Sequence, residues 1–195
     1  MLLNTIMMSV EKDKIDPDIF DMLEMSNKTS EEVFSLLDNL LKWTKSQLGK
    51  LTVIPQKLDI SGLADGVVEV MNSVAEVKHI KLIRTDHESF FVYVDIEMIK
   101  SILRNLISNA VKFSNPDSEI KVGIKAEDGK VIVSVTDSGK GIKKEDQHKL
   151  LKDSTHFTTY GTNSEEGSGL GLLLCRDFAR KNGGELWFES EENLG

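Results

Sequence analysis

The sequence predicts an α+β protein, in which an N-terminal α-helical hairpin precedes a domain of short strands alternating with helices. Residues 1–50 show helical periodicity almost throughout and contain one proline and one glycine. From Lys57 onward, short apolar runs typical of strands separate longer helical patterns. The hydrophobic content of 39% and charged content of 29% exclude collagen-like, low-complexity and mostly disordered chains.

Charge and cysteine content restrict the compartment and the partners. The net charge of -8 predicts no nucleic-acid partner and no contact with an anionic membrane, so any bound phosphate must be held locally. The single cysteine, Cys175, excludes an internal disulfide and a multi-cysteine zinc site. No apolar run reaches the ~20 residues that span a bilayer, and Met1–Val10 lacks the features of a signal peptide. We therefore expect a cytoplasmic location, either for a whole protein or for the cytoplasmic part of a membrane-bound one.

The N-terminal segment is predicted to hold two helices. Apolar residues at helical spacing run to Val10, and Asp16-Pro17 then supplies an N-cap and a first-turn proline for a second helix. A heptad seam follows on that helix: Phe20, Leu23, Asn27, Ser30, Phe34, Leu37, Leu41, Thr44, Leu48 and Leu51. A new helix starting at Thr29, with a capping box to Glu32, is the competing interpretation, but the unbroken repeat favours one long helix.

Gly49 and Pro55 mark a boundary, which divides the chain into domains 1–52 and 53–195. In the second domain, the patterns predict strands at 52–58, 80–84, 90–94, 119–127, 130–136 and 185–190, with helices at 61–77, 96–114, 143–151 and 169–182. A polar loop without strong periodicity is expected at 152–168, and such loops are often lids.

Three patterns suggest a site. On the helix at 96–114, Asn105, Asn109 and Lys112 share one face, where amide oxygens suit Mg²⁺ and the ammonium suits phosphate. Asp137 follows a strand and precedes Gly139 and Gly141, an arrangement in which a carboxylate can accept a hydrogen bond from an exocyclic amine.

The third pattern is Gly167-Ser-Gly169-Leu-Gly171, which leads into a helix whose N-terminus favours phosphate. It matches neither the P-loop nor the dinucleotide-binding fingerprint. Taken alone, the first pattern more often marks a solvated helix face and the second more often marks a polar turn. The segment before the third pattern is also typical of a simple connection.

In this order and spacing, the patterns resemble the ATP-binding catalytic domain of bacterial sensor histidine kinases, in the superfamily of gyrase, Hsp90, histidine kinases and MutL. Residues 105–114 resemble the N box, 137–142 the G1 box, 156–159 the F box and 167–172 the G2 box. The resemblance covers roughly residues 57–190 and implies a Bergerat-type α/β sandwich, a mixed sheet packed on helices, which binds ATP and Mg²⁺.

The resemblance also implies individual roles. Asn109 is the expected magnesium ligand, Asn105 a second polar contact, Lys112 a phosphate contact and Asp137 the adenine anchor; Asn105, Asn109 and Lys112 are the expected catalytic set. The remaining expected nucleotide-binding residues are Phe113, Gly139, Gly141, Ile142, Phe157, Thr158, Thr159, Gly167, Ser168, Gly169, Leu170 and Gly171. Asn105 stands where the gyrase and MutL branches place a glutamate base, which favours phosphoryl transfer over hydrolysis.

Residues 17–51 resemble the second helix of the dimerisation and histidine phosphotransfer hairpin, which implies a homodimer and a response regulator receiver domain as partners. The family's phosphoacceptor histidine belongs on the first helix, in an acidic context, and His79, His87, His148 and His156 all lie elsewhere. We expect a piece of a longer sensor that does not phosphorylate itself. Two alternatives stay open, an ATP-binding switch without phosphotransfer and a serine kinase of the anti-sigma type.

Overall fold

The computed structural model describes residues 16–150, 161–162 and 169–195 of the 195-residue chain. In chain order the elements are α1 (Pro17–Gln47), β1 (Gln56–Asp59), α2 (Ile60–Glu76), β2 (Lys81–Arg84), β3 (Phe91–Val94), α3 (Ile96–Phe113), β4 (Glu119–Glu127), β5 (Lys130–Thr136), α4 (Lys144–Gln147) and α5 (Gly171–Lys181). The first arm of the predicted hairpin lies outside the described residues.

Helix α1 begins where the sequence predicts it. The Asp16 side chain accepts a hydrogen bond from the Asp18 N–H at 3.0 Å, and Pro17 occupies the first turn, where its missing N–H costs nothing. The helix continues through Thr29, whose hydroxyl donates to the Met25 carbonyl four residues earlier at 2.8 Å. This is the bond of a threonine inside a helix, so the competing start at Thr29 is wrong.

The part of the chain after α1 contains two sheets, which pack on the helices through hydrophobic side chains. β1 pairs antiparallel with β3, while β4 is central in the second sheet, parallel to β2 and antiparallel to β5. The β4–β5 hairpin turns at Asp128-Gly129, both at positive φ, as the right-handed strand twist favours. The second sheet is therefore mixed, and with the helices packed on it the predicted α+β class is confirmed.

The main core lies between the helices and the mixed sheet. α2 contributes one buried face and α3 another, and both pack on the inward side chains of β2 and β4. Its most deeply buried members are Ala64, Ala75, Leu103, Ile107, Ile120 and Val122. Burial of these apolar faces fixes the orientation of α3, and its polar face is left for chemistry.

A second apolar cluster joins α1 to the rest of the chain. Met98 of α3 packs with Leu174 and Phe178 of α5, and Trp43, Leu51, Val53 and Ile102 cover them. Next to this cluster, the buried Ser46 hydroxyl donates to the Asp177 carboxylate. Leu51, predicted as the last member of the heptad seam, instead packs here, because α1 ends at Gln47 and Gly49 turns the chain at φ +66°.

The predicted strand at 185–190 is wrong, since the structure forms no strand there and β5 pairs only with β4 among the described strands. Polar groups of Ser190 bond instead to the loop after β5: its hydroxyl accepts from the Ile142 N–H at 2.9 Å, and its carbonyl accepts from Gln147 Nε2 at 2.9 Å. The alternating sequence pattern is typical of a strand, but no neighbouring strand among the described residues pairs with this segment, and a strand needs such a partner.

Most other predicted elements are confirmed within a few residues. β4 and β5 occupy the predicted ranges, and α2 and α3 differ by one residue at the ends. β1 is shorter than predicted and starts at Gln56, directly after Pro55. Among the described residues, no helix is both long and apolar enough to cross a bilayer.

Candidate functional site

Helix α3 presents the three predicted polar residues on one side. Asp95 caps its N-terminus by accepting from the Met98 N–H at 3.1 Å, and the helix ends at Phe113 before the fully buried Ser114. Its apolar face is buried in the core, whereas Asn105, Asn109 and Lys112 are half-buried. The amphipathic pattern thus places two amides and one ammonium at the edge of the core, as the sequence predicts.

Asn105 lies against the start of α5. Its Nδ2 donates to the Ser101 carbonyl at 3.1 Å, which directs Oδ1 away from that turn. A Cβ added at Gly171 would stand 3.1 Å from Asn105 Oδ1, closer than most real contacts. Glycine at position 171 therefore lets the first turn of α5 approach the polar face of α3.

Gly169 and Leu170 complete this approach. Gly169 has φ +68°, in the left-handed region where glycine is unstrained, and the buried Leu170 then anchors the start of α5. Phe157, Thr158, Thr159, Gly167 and Ser168, the other predicted residues of this region, lie outside the described residues.

Asp137 follows directly after β5 and is half-buried. One carboxylate oxygen accepts from the Gly139 N–H at 2.9 Å. Burial raises the pKa of Asp137 above the ordinary carboxyl value, and the Gly139 N–H opposes that rise. A partly desolvated carboxylate makes strong hydrogen bonds to a donor that reaches it.

The loop after β5 rests on the C-terminal end of α3. A Cβ at Gly139 would overlap the Phe113 carbonyl oxygen, and the Lys140 N–H donates to the same oxygen at 3.2 Å. On the other side, Gly141 has φ +59°, and a Cβ there would overlap the Glu191 carbonyl. The two glycines therefore allow the loop to lie between α3 and residues 190–195.

Two ammonium groups flank the Phe113 ring. The Nζ of Lys112 lies 5.1 Å from the ring centroid and the Nζ of Lys140 lies 4.7 Å from it, both within cation–π distance. Sequence reasoning missed Lys140, although it stands inside the glycine pattern. The pair brings two positive charges to the junction of α3 with the Asp137 loop, in a chain of net charge -8.

Two further residues that the sequence analysis missed lie at the same junction. Lys78, which is 7% exposed, donates to the carbonyls of Val111 and Lys112, both at 2.9 Å. Thr162 bonds to the Lys112 carbonyl through its N–H, at 3.1 Å. The available signal in the sequence was a lysine in the short connection between a helix and a strand. A lysine that is buried there needs hydrogen-bond partners, because buried lysines are rare unless paired.

A cleft of about 310 Å³ also opens beside Asn105, lined by residues of α1, α2 and α3. Lys42 of α1 and Lys100 and Arg104 of α3 bring positive charge to it, and Asp38 and Glu97 bring negative charge. Asn105 is the one predicted site residue among those that line it. The cleft therefore lies between α1, α2 and α3 beside Asn105, and no residue of the Asp137 loop lines it.

The side chains near this junction decide which kind of metal ion the protein could bind. Within residues 16–150, 161–162 and 169–195, no group of three or more His, Cys, Asp or Glu side chains could hold a metal ion. The amide oxygens on α3 suit a hard cation, and Mg²⁺ commonly takes few protein ligands and completes its shell with substrate phosphates and water. The described residues fit Mg²⁺ delivered with a nucleotide, and among them no set of side chains suits a permanent protein-only metal centre.

The loop of Asp137 and the start of α5 thus both lie against α3, which also carries the polar face. Residues 94–195 match the profile of the histidine kinase-, DNA gyrase B- and HSP90-like ATPases. The chain belongs to this family. Its fold class and its ATPase domain follow from that membership.

The relatives of this ATPase domain are sensor kinases. The adaptive-response sensory kinase SasA of Crocosphaera subtropica is 34% identical over 162 residues, which are 82% of this chain and 42% of the relative. The sensor protein EvgS of Escherichia coli K12 is 28% identical over 90% of this chain and 15% of its own. The chain therefore spans less than half the length of these relatives.

Solved structures give the same fold. The catalytic domain of histidine kinase ThkA superposes with a TM-score of 0.61 and 30% identity, covering 72% of this chain and 90% of that domain. ThkA in complex with response regulator TrrA superposes with a TM-score of 0.65 over 99% of this chain and 54% of ThkA, at 21% identity. The second likeness includes α1 and supports the fold alone.

Proposed function

We propose that this chain binds Mg-ATP between the polar face of α3, the loop of Asp137 and the start of α5, and that it transfers the γ-phosphate to a histidine on a segment outside this sequence. The observation that carries the proposal is that α3 contacts both loops directly, at Gly171 through Asn105 and at Gly139 through the Phe113 carbonyl. A nucleotide needs these three elements together: an anchor for the base, a polar wall and a phosphate-binding helix start.

In this proposal Asp137 accepts a hydrogen bond from the adenine amine, while Gly139, Gly141 and Ile142 line the base. Guanine carries a carbonyl at that position, and the carboxylate would repel it. Ser190 orients the Ile142 backbone through the 2.9 Å bond to its N–H. The base pocket therefore has backing from the C-terminal residues as well as from α3.

The phosphates are assigned to the polar face of α3 and to the start of α5. Lys112 supplies positive charge, the backbone from Gly167 to Gly171 supplies N–H groups, and Asn105 and Asn109 supply amide oxygens. Bound Mg²⁺ would neutralise phosphate charge and orient the transferred group, with Asn109 as its protein ligand. Asn105 has no acid–base function, so activation of water for hydrolysis lacks a base at this position.

Phosphotransfer then depends on proximity. Electrostatic stabilisation and positioning carry most of the catalysis in phosphoryl transfer, so the acceptor imidazole must come within reach of the γ-phosphate. None of the four histidines of this sequence has the acidic and proline context of the family's acceptor. The acceptor is assigned to a first hairpin helix on another chain or segment.

The partners follow from α1. Phe34, Leu37, Leu41 and Leu48 of the heptad seam are at least half exposed, which suits pairing with a second copy of this helix. A receiver domain of a response regulator is the proposed recipient of the phosphoryl group, as the TrrA complex of ThkA suggests by analogy. The domain division at 52/53 and a cytoplasmic location belong to the same proposal.

The decisive binding experiment is calorimetry of the full 195-residue chain with AMPPNP, with and without Mg²⁺. We expect binding that weakens strongly without Mg²⁺ and in Asn109→Ala. Asn72→Ala, on a half-buried position of α2 away from the site, is the matched control and should bind as wild type. Equal affinity of Asn109→Ala and wild type at every Mg²⁺ concentration would remove Asn109 from the site.

The transfer step is tested with labelled ATP. The chain alone should stay unlabelled. A mixture with a longer form that carries the upstream helix, and whose own site is disabled by Asn109→Ala, should gain acid-labile phosphate on that helix. Asn109→Ala in the shorter chain as well should abolish the gain. Nucleotide binding without any transfer to the longer form would leave an ATP-binding switch, and acid-labile phosphate on His79, His87, His148 or His156 would overturn the assignment of the acceptor.

A further inference from the structure

The C-terminal end of α3 has an unusual set of hydrogen-bond partners. The last carbonyls of a helix have no partner within it, and here three distant segments supply one. Lys78, after α2, donates to Val111 and Lys112; Lys140, after β5, donates to Phe113; and Thr162 donates to Lys112 and Ser114. The loop that contains Lys140 and the loop that contains Thr162, both part of the proposed nucleotide site, are therefore hydrogen-bonded to the end of this helix.

Lys78 is the buried member of this set. Its Nζ lies 2.9 Å from the Val111 and Lys112 carbonyl oxygens, 3.5 Å from that of Ser114 and 2.7 Å from the Thr162 hydroxyl. A buried ammonium is costly to desolvate, so it persists only where several acceptors satisfy it. The negative end of the helix dipole adds to this stabilisation.

Thr162 ties the far loop to the same carbonyls. Its N–H donates to the Lys112 carbonyl at 3.1 Å, and its hydroxyl lies 2.8 Å from the Ser114 carbonyl oxygen. The Lys112 carbonyl therefore receives both Lys78 and Thr162, while the Lys112 side chain is the proposed phosphate contact. Position 162 stands between the F-box-like and G2-like patterns, within the polar loop expected at 152–168.

We infer that Lys78 is a positioning residue for the nucleotide. Lys78 holds Lys112 and Thr162 in one arrangement and so fixes the geometry of the phosphate-binding end of the site. This inference rests on the proposed nucleotide-binding function. Lys78 belongs to none of the four family-like boxes, and it acts through the carbonyl oxygens at the end of α3. Its substitution should weaken contacts to the β- and γ-phosphates and spare the base, which Asp137 holds through a separate loop.

A purely structural cap makes a different prediction. If Lys78 only satisfied helix carbonyls, its loss would lower stability and reduce the affinity of the folded protein for all adenine ligands equally. The test therefore compares AMPPNP with AMP, which keeps the adenine and lacks the β- and γ-phosphates. The comparison isolates the phosphate end of the site from the fold.

The experiment uses Lys78→Met in the full chain, with calorimetry for AMPPNP and NMR titration for the weaker ligand AMP, both in Mg²⁺. We expect AMPPNP affinity to fall about tenfold and AMP affinity to change by less than about twofold, on the scale where tenfold is ~1.4 kcal/mol. Lys81→Met is the matched control, because Lys81 is exposed and pairs with Glu119 at 3.5 Å. It should bind both ligands as wild type.

Thr162 supplies a second pair of variants that leaves the bonds from Lys78 to the helix carbonyls in place. Thr162→Val should reproduce the selective loss of affinity for AMPPNP. Thr162→Ser keeps the hydroxyl and should bind AMPPNP with wild-type affinity. If Lys78→Met does not fold, this pair decides.

Two outcomes overturn the inference while wild type binds AMPPNP: equal losses for the two ligands, or wild-type affinity in Thr162→Val. Absence of AMPPNP binding by wild type overturns the proposed function itself, and the inference with it.

Discussion

The backbone N–H of Lys140 donates to the carbonyl oxygen of Phe113 at 3.2 Å, which joins the loop after β5 to the end of α3. Both residues stand in motifs that are separate in sequence and carry different parts of the proposed chemistry. The bond fixes the loop of Asp137 relative to the helix that presents Asn105, Asn109 and Lys112. Changes at this contact should therefore alter stability and nucleotide binding together.

Gly139→Ala should destabilise the fold. The added Cβ would overlap the Phe113 carbonyl, so the loop must move from α3, and such overpacking costs about 1–3 kcal/mol. Chemical denaturation measures the loss, and AMPPNP affinity should fall with it. Gly66→Ala in α2 is the matched control: nothing lies within 4 Å of its Cβ, and the helix should gain about 0.5–1 kcal/mol. A Gly139→Ala variant as stable as wild type would contradict the packing described here.

Asp137→Asn should separate stability from binding. The amide retains an oxygen for the Gly139 N–H but turns a donor toward the adenine amine, so ATP binding should fall strongly. The melting temperature without ligand should stay equal or rise, because a partly buried charge is removed.

Asp128→Asn, in the β4–β5 turn at φ 51°, is the control for loss of one carboxylate and should bind ATP normally. Competition by GTP tests the same contact: wild type should exclude it. Equal displacement by ATP and GTP would show that Asp137 does not distinguish the bases.

The raised pKa of Asp137 predicts a pH dependence of two signs. The folded protein keeps this proton to higher pH than the unfolded chain, so the contribution of Asp137 to stability is full at low pH and is lost as pH rises from ~3.9 through the folded pKa. Nucleotide affinity should rise over the same window, since the ionised form is the acceptor. Asp137→Asn should flatten both profiles, and the difference between the two proteins cancels the titration of the nucleotide. Parallel profiles for the two would contradict the prediction.

The heptad seam of α1 should mediate self-association. Phe34, which is 73% exposed, lies on the seam, whereas Met25, 72% exposed, lies off it. Phe34→Glu should abolish dimers in sedimentation equilibrium and Met25→Glu should leave them unchanged, although the two substitutions add the same charge to equally exposed positions. A wild-type chain that remains monomeric at high concentration would refute a homodimer through this segment.

Local patterns in the sequence determined most of the elements and the motifs to which the proposed site is assigned. The Asp16-Pro17 start of α1, the amphipathic α3 and the β4–β5 hairpin follow from caps, apolar periodicity and turn residues that act within a few positions. The same holds for Asn105, Asp137 and Gly171, because their motifs are continuous in sequence. The contacts that bring these motifs together on α3 are decided by tertiary packing.

Tertiary structure alone decided what the backbone groups of distant segments do. Residues 185–190 have a strand-like pattern and no strand, since a ladder needs a partner edge that no local pattern specifies. Lys78 and Thr162 are 84 positions apart and meet at the carbonyls of α3. The last carbonyls of a helix need donors from elsewhere in the fold, so a buried lysine outside every motif bonds to the end of the helix that carries the proposed site.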